Sequence, residues 1–77
     1  MNIKTAIIDV LDSELDVLNN FSSKSILFYD SIIYLDEKRI TIDELVNQVV
    51  ETATLELVEL EDISTPDILE AITVLDK

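Results

Sequence analysis

A chain of 77 residues that carries seventeen Asp and Glu against five Lys and Arg has to fold against its own charge. The formal net charge of -12 exceeds what solubility requires and adds a self-repulsion that a small core must overcome. At this length folding hides only roughly 60 to 65% of the surface that the unfolded chain exposes, so the core needs efficient material. Hydrophobic residues make up 48% of the chain, almost all of them Ile, Leu and Val, which is too apolar for a disordered acidic tail. One folded acidic domain over residues 1–77 is expected, and its surplus charge points to a basic partner.

The same composition excludes several classes of function. Nucleic acid is bound by neutralising its phosphates with Lys and Arg, and here the sign is wrong, as it is for an anionic membrane surface. No Cys and no His are present, so disulfides, thiolate nucleophiles and zinc sites drop out. Without a His base, and with no Ser-x-x-Lys arrangement, no activated serine can be assembled and an enzyme is not expected. The absence of Gly removes phosphate-cradling loops. The carboxylate pairs Asp9 and Asp12, or Glu59 and Glu61, match a solvated face in so acidic a chain better than a metal site, and no EF-hand loop is present. Met1-Asn2-Ile3-Lys4 leads into Ala6-Ile7-Ile8 and then meets Asp9 and Asp12, which is neither a signal peptide nor a membrane span; a cytoplasmic protein is expected.

Ile3, Ile7, Val10, Leu11, Leu15 and Leu18 recur every three to four residues with polar residues between them, which predicts an amphipathic helix over about residues 3–18, ended by Asn19-Asn20. Thr41 and Glu44 have the spacing of a capping box and open a second helix over 41–54, with Ile42, Leu45, Val46, Val49, Val50 and Ala53 as its apolar stripe. A third helix is expected over 66–75, capped by Thr65 with Pro66 first, burying Ile68, Leu69, Ile72 and Leu75. Residues 55–61 fit an acidic strand or a short irregular helix. In residues 26–40, Ile26-Leu27-Phe28-Tyr29 and Ile32-Ile33-Tyr34-Leu35 are β-prone, but no Asn-Gly or Asp-Gly turn joins them. The segment is expected to be an ordered apolar loop with a helical turn, with a hairpin as the alternative. Lys38-Arg39 is either part of a locally neutral turn or a cationic spot beside a helix start.

With Asp30-Ser31-Ile32 between those runs, the chain resembles an acyl or peptidyl carrier protein. Ile3, Ile7, Val10, Leu11, Leu15 and Val17 are similar to that family's first helix, Leu45, Val46 and Val49 to the core of its second, and Ile63-Ser64-Thr65-Pro66-Asp67-Ile68 to the opening of its last. The resemblance implies a mainly α fold, a small bundle of three to four helices, with α+β and a short hairpin at residues 26–40 as the alternative. It also implies a 4'-phosphopantetheine arm on Ser31 that presents an acyl or aminoacyl group to the enzymes of fatty acid, polyketide or nonribosomal peptide synthesis. Asp30, Asp43, Glu44 and Glu51 would then meet basic surfaces on those enzymes, with the carrier a monomer. Two departures stand out: the family's Gly before the motif is missing, and Ser31 lies ten residues ahead of the capping box. Aligning the helices instead puts Arg39 in the place of the serine, so either Ser31 is the attachment point and the second helix begins earlier, or the domain has a carrier-like fold without a prosthetic group.

Two other readings use the same composition. One is an acidic interaction or inhibitor module that occupies a basic groove of its target, its carboxylates standing in for phosphates. The other is a structural subunit whose apolar Ile26 to Leu35 segment buries against a larger protein.

Overall fold

A computed structural model of the chain describes residues 2–53 and 63–76, in the order α1 (Ile3–Phe21), β1 (Ile26–Tyr29), β2 (Ile32–Leu35), β3 (Lys38–Thr41), α2 (Ile42–Ala53) and α3 (Thr65–Leu75). The expected mainly α bundle is therefore corrected to an α+β fold, in which a three-stranded antiparallel sheet of order β1-β2-β3 occupies residues 26–41. The expected loop there is likewise corrected: the segment makes two consecutive hairpins, one more than the alternative allowed. The question of strand or helix at 55–61 falls outside the described residues.

The turns explain how the sheet forms without glycine. Asp30 and Ser31 have φ of 52° and 62°, and Asp36 and Glu37 have φ of 50° and 70°. Positive φ at both central residues is the mark of a type I′ turn, whose twist matches that of the flanking strands. Asp is among the residues that tolerate this region, and Asp36 is held besides from the end of the neighbouring strand: its carboxylate accepts from the Ser25 N–H at 2.9 Å while its own N–H donates to the Ser25 carbonyl at 2.8 Å. Ser31 and Glu37 have no such exemption, so each hairpin holds one residue in a conformation that glycine would adopt more easily.

These turns set the register, with Ile26 opposite Leu35, Phe28 opposite Ile33 and Ile33 opposite Ile40. Cross-strand partners share a face, so Ile26, Ile33, Leu35 and Ile40 all point into the core and are buried. Ala6, Ile7, Leu11 and Leu18 of α1, Ile42, Leu45 and Val49 of α2, Ile63, and Ile68, Ala71 and Ile72 of α3 complete it. Each fully buried Ile or Leu contributes about 1.5–3 kcal/mol, and no described polar side chain is buried to offset that.

The helix starts are chemically defined. The Asn2 carboxamide oxygen accepts from the Thr5 N–H at 2.9 Å and so caps α1. At α2 the Thr41 hydroxyl accepts from the Glu44 N–H at 3.1 Å and the Glu44 carboxylate from the Thr41 N–H at 3.4 Å, the capping box read from the sequence. The α3 cap moves from Thr65 to Ser64, whose N–H donates to the Asp67 carboxylate at 3.1 Å, leaving Pro66 second in the helix. Helix α1 bends at Glu14 (φ -120°, ψ 16°), next to Ser13, whose hydroxyl donates to the Asp9 carbonyl at 2.7 Å.

It also runs on past the expected stop, because Asn19 does not end it. The Asn19 amide donates to the Ile26 carbonyl at 2.9 Å, and its oxygen accepts from the Ile26 N–H at 2.7 Å. In a two-residue hairpin Tyr29/Ile32 and Leu27/Tyr34 are the hydrogen-bonded pairs, so the backbone groups of Ile26 and Phe28 face away from β2. Asn19 therefore occupies half of the open edge of β1. By the same alternation Arg39 and Thr41 face away on β3, and Glu44 meets the Thr41 N–H. Both sheet edges are short and partly filled, which discourages strand addition.

Two outcomes follow. Ser31→Gly should raise the stability measured by urea unfolding by about 0.5–1 kcal/mol, and Ser31→Val should lower it by about 1–2 kcal/mol, because a β-branched residue resists positive φ. Asn19→Ala should cost about 1–3 kcal/mol and speed hydrogen exchange at the Ile26 amide, and Asn19→Asp, which keeps the acceptor but sets a carboxylate oxygen against the Ile26 and Leu15 carbonyls, should not restore the stability. An unchanged urea midpoint for Asn19→Ala would show that the edge bonds contribute nothing.

Candidate functional site

The capping box fixes the phase of α2. With Ile42, Leu45 and Val49 buried, Asp43, Glu44, Asn47 and Glu51 take the opposite, exposed side. Asp43 and Glu51 are about 12 Å apart along the axis, so the carboxylates form a stripe rather than a chelating cluster. Val50, expected in the apolar stripe, lies on this outer side at 42% exposure. On α1 the residues opposite Ile7, Leu11 and Leu18 are Asp9, Asp12 and Asp16, all exposed. No group of three or more described acids converges on a metal position.

Cations do little to neutralise these stripes. Lys4 approaches Asp43 at 3.5 Å, with both side chains more than half exposed, and such a pair contributes little. Lys24 pairs with Asp76, tying the end of α1 to α3. Among the described residues Asp9, Asp12, Asp16, Glu44 and Glu51 have no ion pair.

Asp30 and Ser31 sit elsewhere, at the tip of the first hairpin. Ser31 is exposed and in the left-handed region, eleven residues before α2 begins at Ile42. The position that the resemblance implies, a serine opening the second helix, is thus not the one Ser31 holds. Nor does Arg39 open a helix: it lies in the middle of β3. Ser31, Ile32, Arg39, Thr41 and Asp43 line one shallow depression of about 260 Å³ with Lys4, which brings Ser31 and Asp43 to the same side of the molecule. Asp43, Glu44 and Glu51 share the outer face of α2, and Asp30 lies in the first hairpin turn next to Ser31.

The sequence marks Ile26 to Leu35 as apolar and offers the segment as one that buries against a larger protein, but does not show which of its side chains face outward. The pairings Leu27 with Tyr34, Tyr34 with Arg39, Tyr29 with Ile32, and Ile32 with Thr41 put all six on the sheet face away from the core. Leu27 is 59% and Tyr29 77% exposed. The available signal was the unbroken apolar character of the two runs, where a half-buried strand should alternate.

No helix among the described residues is long and apolar enough to cross a membrane. No protein-family model matches this sequence, and no curated protein or solved structure matches it either.

Proposed function

We propose that this protein is a non-catalytic interaction module whose carboxylate-lined helices grip a basic surface on a partner protein. The observation that carries this is the exposed stripe of Asp43, Glu44 and Glu51 on α2, which the Asp9, Asp12 and Asp16 stripe of α1 extends in kind. Such stripes raise the rate of encounter with a positive surface and reject negative ones, so their use is recognition rather than fold stability. The aliphatic core supports the same reading, since among the described residues no polar group is buried around which a reaction site would be organised. An active carrier has less support: the fold is not a helical bundle, and Ser31 lies in a hairpin turn instead of opening a helix.

Binding of a Lys/Arg-rich peptide should weaken steeply with salt. The triple variant Asp43→Asn, Glu44→Gln, Glu51→Gln, in which Gln keeps the capping box, should slow association on the order of ten-fold. Unchanged rates in this variant and in Asp9→Asn, Asp12→Asn, Asp16→Asn would overturn the proposal. Intact-mass measurement after incubation with coenzyme A and a promiscuous phosphopantetheinyl transferase should give no gain; a gain abolished by Ser31→Ala would restore the carrier.

A further inference from the structure

We infer that the outer face of the sheet, Leu27, Tyr29, Ile32, Tyr34 and Arg39, docks an apolar patch framed by Lys and Arg on the partner protein. This rests on the interaction-module reading and places the apolar contact that the acidic helices lack. The face has the composition of an interface centre, where Tyr and Arg are enriched and Lys and Glu depleted. Arg39 stands opposite Tyr34 at a non-hydrogen-bonded pair, where Cα atoms lie about 4.5 Å apart. There its stem widens the apolar surface and its guanidinium is placed to stack on the ring.

Charge selects the occupant. Both ends of the face are framed by acids, Asp30 at one turn and Asp36 and Glu37 at the other, all exposed. Lys38 has the parity of Leu35 and belongs to the opposite side; among the described residues the cations here are Arg39 on the face and Lys4 beside it, which shares a depression with Ile32 and Arg39 and is paired with Asp43. A second copy of a chain with net charge -12 meets this frame with like charge, whereas a basic rim is complementary to it. The filled edges at Ile26 and Thr41 direct a partner onto the face rather than alongside a strand.

Both tyrosines of the chain lie on this face and there is no Trp, so intrinsic tyrosine emission reports on it directly. The probes are two helical peptides of equal positive charge without Tyr or Trp, one with a Leu stripe and one with Ser in its place. Each is titrated into the full chain at physiological ionic strength, and the oligomeric state is read by sedimentation. The Leu peptide should change tyrosine emission and bind at least about ten-fold more tightly than the Ser peptide. Tyr29→Ser should remove that advantage while leaving the urea midpoint unchanged, as should Leu27→Ser. Equal binding of both peptides with unaltered emission would overturn the docking face yet leave the acidic helices as the contact. Binding of neither would overturn both readings. A dimer that Tyr29→Ser converts to monomer would assign the face to a second copy and overturn the inference.

Discussion

The register of the β-meander decides what every side chain from Ile26 to Thr41 does. A slip of one residue would send Ile26, Ile33, Leu35 and Ile40 to the solvent and bring Arg39 and Tyr34 inward. Two-residue turns leave no slack for such a slip, but they demand four positive φ values from a chain with no glycine. The strain is tolerated because the alternative loses four aliphatic side chains from the core. Asp36 lowers it further by holding Ser25 through both backbone and carboxylate, so the second turn is braced from across the sheet.

Charge and core are kept strictly apart. None of the described acids is buried, and the interior consists of Ile, Leu, Val and Ala alone. Carboxylates at the helix starts have a local use: Asp43, Glu44 and Asp67 lie in first turns, where the helix dipole favours them, and Glu44 and Asp67 also accept from backbone N–H groups. The acids further along, Asp9, Asp12, Asp16 and Glu51, have no such structural role. Their repulsion is a burden on folding with no local return, so recognition is their one use, whereas Asp43 and Glu44 serve the helix start as well as the exposed stripe.

The helices were legible because each signal was local. Apolar residues at three-to-four spacing gave α1, and the Thr41–Glu44 box gave the cap of α2, one residue before its first helical residue, and with it the outward face of Asp43, Glu44 and Glu51. The sheet was not legible, for two physical reasons. Its turns use Asp-Ser and Asp-Glu where Asn-Gly or Asp-Gly is the recognisable signal, and its strands are four residues each, too short for a period to emerge. Alternation was further hidden because the outer face carries Leu27, Tyr29 and Ile32, so both sides read as apolar. Asn19 was misread for a related reason: an Asn late in a helix resembles a stop, and its use as a stand-in for a strand depends on Ile26, seven residues away in sequence.

The feature that concealed the strands is also the one that needs a functional account. A sheet with one face on a core normally turns polar residues to water, and a chain under selection only to fold would gain solubility by placing Lys, Glu or Thr at residues 27, 29 and 32. Here a protein with acids to spare keeps the described ones on or beside helices and in turns and leaves Leu27, Tyr29, Ile32 and Tyr34 on the sheet. The division suits a two-step encounter: long-range attraction between helices and a basic partner sets the rate, and the apolar face sets how long the complex lasts. Screening by salt acts on the first step far more than on the second, because exposed charges more than about 8 Å apart are largely shielded at physiological ionic strength while buried apolar contacts are not. A variant that loses helix acids should then bind slowly but release normally, and one that loses Tyr29 should bind at the usual rate and release early.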